Sequence, residues 1–169
     1  MQEVYFKVKK VDPRAIIPSK REEDAGYDFY GVFDDEYQVL KHGEITLIPT
    51  GISMEFPKDW VLYLAERGST GSKGIARRAG VVDSGFRGEL KVMLNNTSNK
   101  TIIFIKDGVH EHEVLDKISL ERDQVTFYPQ SKAIAQGMLL YAPHVEVEEV
   151  EELSSDSQRG DGMIGSSKK

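Results

Sequence analysis

No cysteine occurs among the 169 residues, which excludes disulfides and thiolate metal sites and suits a reducing, cytoplasmic setting. Long apolar runs are missing too. Stretches such as Ile102-Ile103-Phe104-Ile105 fall far short of the roughly 20 residues that a membrane helix needs. The opening Met1 to Lys9 largely alternates polar and apolar residues and has no apolar stretch as long as a signal's apolar region, so a first strand is expected there, not a secretory signal. Basic clusters are scarce. Lysine and arginine number 22 against 28 acidic residues, a net charge of −6, and no run of more than two adjacent basic residues occurs, Arg77-Arg78 and Lys168-Lys169 being among the pairs. A nucleic-acid partner is therefore not expected, although a small anion can still be held by local arginines and amides. There is no Gly-x-Ser-x-Gly elbow for a serine hydrolase and no repeat of 20 to 50 residues.

What the chain does contain is a succession of short runs with period two. Val4-Phe6-Val8, Ile45-Leu47, Ile52-Met54-Phe56, Val61-Tyr63 and Leu90-Val92-Leu94 are followed by 102–105, Val125-Phe127, Met138-Leu140 and Val145-Val147. Turn residues stand between them, among them Lys41-His42-Gly43, Pro49-Thr50-Gly51 and Asn95 to Asn99. Many short strands at this spacing predict an all-β barrel or jelly roll. One short helix is expected, from about Gly71 to Arg78, capped by Ser69 or Thr70. The acidic run Glu146 to Glu152 reads as a solvated edge strand leading into a flexible linker. His110-Glu111-His112 reads as surface residues on a strand or loop.

Five glycine-rich, charge-bearing segments lie between these runs: Asp24 to Asp28, Arg67 to Gly71, Gly80 to Glu89, Ala133 to Gln136, and Arg159 to Ser167. Each alone could be a turn. Arg67-Gly68-Ser69-Thr70 offers cationic, amide and hydroxyl donors suited to phosphate, without the spacing of a Walker A loop; a polar loop with a capped helix is the equal alternative. Asp24 and Asp28 suit a turn, or a magnesium ion that keeps its water shell. Asp83 stands in a turn, with Phe86 three residues on and glycines at 80, 85 and 88 that let backbone approach a planar ligand. The glycines and serines of the last segment could close on phosphate through backbone amides.

In order and content the five segments resemble the motifs of the trimeric dUTP diphosphatases, and the likeness runs from Asp24 to Ser167. Gly80-Val81-Val82-Asp83-Ser84-Gly85-Phe86-Arg87-Gly88-Glu89 is its most specific part. The resemblance implies a jelly-roll barrel with a flexible C-terminal arm and hydrolysis of dUTP to dUMP and pyrophosphate by magnesium-assisted water attack on the α-phosphorus. Such a reaction limits uracil incorporation into DNA and supplies dUMP. It implies that Asp83 orients the water, that Phe86 packs on the deoxyribose, and that main chain at Gly80, Val81, Val82 and near Lys91 reads uracil. Asp28 would hold Mg2+ through water, and Arg67, Gly68, Ser69 and Thr70 would meet phosphate with Gln136 beside the nucleotide. Arg159, Ile164, Gly165, Ser166 and Ser167 would belong to the arm that clamps the phosphates. A homotrimer is implied, with 1–150 as the barrel domain and 151–169 as the arm.

The sequence departs from the family pattern at named places. Gly68 separates Arg67 from Ser69, Arg77 stands where an asparagine is usual, Ser131-Lys132-Ala133 replace a Gly-Asp-Arg, and Met163-Ile164 replace a Gly-Phe. The connection of about 97–130 is longer than usual. It reads as a β-hairpin packed on the barrel or as a surface for a protein partner. A dCTP deaminase is the enzymatic rival, disfavoured because Met93 occupies the place of its proton-shuttling glutamate. A regulatory protein on the same scaffold is the rival of another class. A cellular and a phage gene are both open.

Overall fold

The turn residues divide the chain into strands too short to bury a face alone, so the fold joins them through changes of sheet. The computed structural model describes residues 4–157 and 160. In chain order it contains β1 (Lys7–Lys10), β2 (Tyr27–Phe29), β3 (Tyr37–Leu40), β4 (Ile45–Pro49), β5 (Ile52–Glu55) and β6 (Trp60–Ala65). There follow α1 (Gly68–Gly71), β7 (Ile75–Arg78), β8 (Val81–Asp83), β9 (Lys91–Asn96), β10 (Thr101–Ile105), α2 (Glu111–Ile118), β11 (Val125–Pro129) and β12 (Ala135–Tyr141). The strands pair in the orders β1-β5, β11-β10-β3, β2-β12-β6-β8 and β4-β9-β7. This is the expected all-β, distorted jelly-roll barrel. None of the described helices is long and apolar enough to cross a membrane.

Gly51 shows how one residue turns a corner. It has φ +67, and a Cβ there would lie 2.8 Å from that of Ala15 and 2.9 Å from that of Asp12. Only glycine suits both the left-handed backbone and the close approach. The chain thereby leaves β4, which pairs with β9, and enters β5, which pairs with β1. The Gly51 carbonyl accepts from the amides of Val11 and Asp12, tying the corner to the chain that leaves β1. Inward residues of the strands, including Phe29, Leu40, Ile48, Leu62, Leu94 and Phe104, make one core.

The structure corrects four local expectations. The short helix lies at Gly68–Gly71, and Ile75–Arg78 is a strand paired with β9. Gly74 at φ +74 breaks the helical path, and the strand places Ile75 in the core. Asn95 and Asn96 are buried at the end of β9, not in a turn. Their amides donate to the carbonyls of Gly43, Glu44, Leu40 and Lys100, which satisfies groups that would be costly to bury bare.

The third correction is the long connection, which is not a hairpin. β10 and β11 are parallel neighbours, a pairing that requires a crossover, and α2 lies within it. Ile102, Phe104 and Tyr128 face the barrel core, while Ile103, Ile105, Val125 and Phe127 form a second cluster with Val114 of α2. The strand period of two divides one short sheet between two cores, and burying a side chain such as Ile103 stabilises by about 1.5–3 kcal/mol. His110 precedes α2, and His112 lies in its first turn. Fourth, no strand forms at Val145 to Val147. Val147 is 98% exposed, and a strand without a partner leaves its ladder open.

Candidate active site

Strand register assembles the first charged group. Gln136 of β12 lies opposite Asp28 of β2 on one side and Ala65 of β6 on the other, so segments distant in sequence meet in one row. Arg67, two residues beyond Ala65, reaches back across the row. Its Nε donates to Asp28 Oδ1 at 2.8 Å and its Nη2 to Oδ2 at 3.0 Å, a bidentate pair with both side chains more than two-thirds buried. Its Nη1 donates to Ser69 Oγ at 3.1 Å and to the Ala133 carbonyl at 3.3 Å. Gln136 Nε2 donates to the Glu66 carbonyl at 2.7 Å, fixing the chain just before Arg67.

These residues line a cleft of about 870 Å³ with Gly68, Ser69, Asp24, Lys20 and Arg21. The two hydroxyls after Gly68 have different fates. Thr70 is buried; its Oγ1 donates to the Arg67 carbonyl and accepts from the Arg67 amide. Ser69 is exposed in the cleft, so it is the hydroxyl open to a ligand. Lys20 and Arg21 were not foreseen from the sequence, and their adjacency three and four residues before Asp24 was the available signal. Arg21 holds the Asp24 carboxyl below its usual range through side-chain and backbone hydrogen bonds.

The second group lies elsewhere. Val81, Val82, Asp83, Phe86 and Lys91 line a smaller cleft of about 360 Å³ together with Leu47, and the two clefts share no lining residue. Among the described residues β8 is an edge strand paired with β6 alone. The Gly80 carbonyl accepts from the Leu64 amide at 2.7 Å, which commits it to β6. Alternation along an antiparallel ladder then turns the main-chain groups of Val81 and Asp83 outward. Gly80 also leaves little room for a side chain, since a Cβ would lie 2.8 Å from the Leu64 carbonyl oxygen. Asp83 is exposed at the strand's end, and its carboxylate has no partner among the described residues. Phe86 is 41% exposed, and its ring lies so near Gly88 that a Cβ there would be 2.9 Å from Cζ.

Asp83 and Gln136 stand at opposite ends of β6, across from Val61 and Ala65 respectively. Four residues of strand and two strand widths separate them by roughly 16 Å of backbone. One chain therefore carries two separate clefts. Arg159, Ile164, Gly165, Ser166 and Ser167 lie outside the described residues. No group of three or more acidic, histidine or cysteine residues able to hold a metal occurs among the described residues. Asp28 still fits a magnesium ion held through water: each carboxylate oxygen keeps a lone pair beyond its bond to Arg67, and magnesium is usually bound by one or two carboxylates with substrate phosphates.

Comparison with known proteins gives these clefts a context. A relative from Clostridium acetobutylicum, a deoxyuridine 5'-triphosphate nucleotidohydrolase, is 35% identical over 96% of both chains. One of the same name from Nautilia profundicola is 30% identical over 97% of this chain and 99% of its own. A Staphylococcus bacteriophage 80alpha dUTPase solved with dUpNHpp aligns at a TM-score of 0.74 and 25% identity, covering 97% of this chain and 98% of that one. A dUTPase from phage phi11 of S. aureus, described for its species-specific insert, shares the fold at a TM-score of 0.67 and 21% identity, covering 89% and 99%. The dUTPase family model matches residues 12–109, a span that holds Asp28, Arg67 and Asp83 alike, and on these grounds the chain belongs to the dUTPase family.

Proposed function

We propose that the protein hydrolyses dUTP to dUMP and pyrophosphate, with water attacking the α-phosphorus at a site shared between copies of a homotrimer. The observation that carries this reading is the division of the site: the anion cleft of Arg67 and Ser69 and the apolar cleft of Asp83 and Phe86 lie at opposite ends of β6. A nucleotide has the same two parts, and two copies can bring unlike clefts together. The outward main chain of Val81 pairs with the uracil edge, and Phe86 covers the deoxyribose and excludes a 2′-hydroxyl. Asp83, exposed and without a partner among the described residues, accepts a proton from the attacking water.

On the charged side, Arg67 and Ser69 donate to phosphate oxygens, and Gln136 keeps the Arg67 loop in place. Asp28 would hold Mg2+ through water, and the bound ion would neutralise phosphate charge. The barrel is assigned to 1–150 and the arm to 151–169, with Arg159 and Gly165-Ser166-Ser167 closing on the phosphates and Ile164 on the base. Removal of dUTP would limit uracil incorporation into DNA and supply dUMP.

A panel of dUTP, dCTP, dTTP and UTP assayed for pyrophosphate with magnesium tests the proposal. Release from dUTP far above the other three is expected, and dUMP should appear with it. Release of ammonia from dCTP, or binding of dUTP without turnover, would overturn it.

A further inference from the structure

The inserted unit β10–α2–β11 touches the anion cleft through one buried hydroxyl. Tyr128 of β11 is 0% exposed, and its ring packs edge to face on Phe104 of β10 at 5.8 Å. Its Oη donates to the Ala133 carbonyl at 2.7 Å, the same oxygen that accepts from Arg67 Nη1 at 3.3 Å. A carbonyl has two lone pairs, and here one serves the insert and the other the arginine. The amide of the same peptide, that of Ile134, donates to the Phe29 carbonyl at 2.8 Å. The peptide is thus gripped at one end by β2, next to Asp28, and at the other by β11.

Resting on the proposed hydrolysis of dUTP, we infer that Tyr128 is a positioning residue for Arg67. Its hydroxyl fixes the Ala133 carbonyl against the guanidinium, so the insert forms part of the support of the phosphate side. The Asp28 bonds hold one edge of the guanidinium, while Nη1 meets only neutral oxygens, Ser69 Oγ and Ala133 O. Of these, Ser69 is exposed and free to turn toward a ligand. The carbonyl is therefore the fixed point, and it is fixed by the tyrosine. Without the hydroxyl, the guanidinium samples more orientations and the phosphate chain must order it on binding.

The test compares affinities for dUpNHpp and dUMP by calorimetry in full-length protein. Tyr128→Phe should weaken dUpNHpp by about three- to tenfold, the range of one hydrogen bond, and leave dUMP unchanged. In an Arg67→Met background the same substitution should have no further effect on dUpNHpp. Equal loss for both ligands, persistence of the effect in Arg67→Met, or no loss at all would overturn the inference. Should Tyr128→Phe fail to fold, 3-fluorotyrosine at Tyr128 keeps the ring and strengthens the donor, and dUpNHpp affinity must then rise relative to dUMP; no relative change would overturn it. A wild-type protein that binds both ligands but releases no pyrophosphate from dUTP removes the hydrolase reading alone, because the binding comparison stands without turnover.

Discussion

The two ends of β6 are built on opposite terms. At one end Asp28, Ser69 and Ala133 all accept from Arg67, whose guanidinium has a partner on each nitrogen, and Gln136 bonds the Glu66 carbonyl beside it. At the other end Asp83 has no partner among the described residues, Phe86 is 41% exposed and Val81 67% exposed. The charged end needs its internal partners, because a half-buried arginine without a counter-charge would be costly. It is consequently pre-shaped by its own hydrogen bonds. The apolar end leaves side chains and an edge strand open, and open edges of this kind are normally covered. The difference teaches that one end is satisfied within the chain, whereas the other leaves its acid, ring and strand edge open.

The largest effect expected from breaking this contrast is at the open end. Asp83→Asn should keep the fold and much of the nucleotide affinity while lowering turnover by about 10²–10⁴-fold, as measured by pyrophosphate release and by melting. Mixing that variant with a chain truncated before Arg159 sharpens the point. If the arm closes on a neighbour's Asp83, exchanged trimers regain activity that neither parent has, whereas no recovery would place arm and Asp83 on one subunit. A smaller effect should follow Phe86→Ala. The ratio of kcat/KM for dUTP over UTP should fall about tenfold, the scale of a lost steric contact, and an unchanged ratio would move sugar discrimination away from Phe86.

The smallest expected effect concerns the closed end. Arg21 holds the Asp24 carboxyl below its usual value, and Arg14 holds that of Asp12, outside both clefts, at about 2 in place of 3.8. A carboxyl lowered by folding contributes stability above its unfolded value and loses it as pH falls through the folded one. For Asp12 that loss belongs between about pH 4 and pH 2. Both groups are partly open to solvent, so screening keeps the contribution slight. Carboxyl chemical shifts followed through acid should show Asp24 titrating below 3.8, and Arg21→Gln should return it toward that value. An Asp24 that titrates at 3.8 in the wild type would mean that the Arg21 pair does not persist in solution.

Local chemistry made much of the site legible. Gly80 to Glu89 carries its turn glycines, its acid and its aromatic within ten residues, and Asp83, Phe86, Val81 and Val82 do share a cleft. Arg67, Gly68, Ser69, Asp28 and Gln136 share the other. Thr70 could not be told from Ser69, because their difference is burial, which depends on what packs above α1. Ile75-Ala76-Arg77-Arg78 looked helical because nothing local distinguishes four such residues from a helical turn, and β9 supplied the deciding ladder. The parallel pair of β10 and β11 was hidden for a similar reason. Its partner lies beyond a helix, and a run of apolar residues has the same appearance in a hairpin.

The amino-acid sequence by itself determined the β class, through apolar residues at period two between turn residues, and the chemical inventory of the two clefts, through which side chains exist to donate or accept. Tertiary structure alone decided that the inventory falls into two separate clefts. Register sets that, since Asp28, Ala65 and Gln136 come into one row only after three strands have paired. It also decided that the insert braces the anion cleft, because a hydroxyl at Tyr128 acquires its role only when the turn before β12 brings the Ala133 carbonyl within 2.7 Å. Side-chain chemistry is carried by each residue alone, whereas hydrogen-bond geometry and burial belong to pairs that only the folded chain brings together.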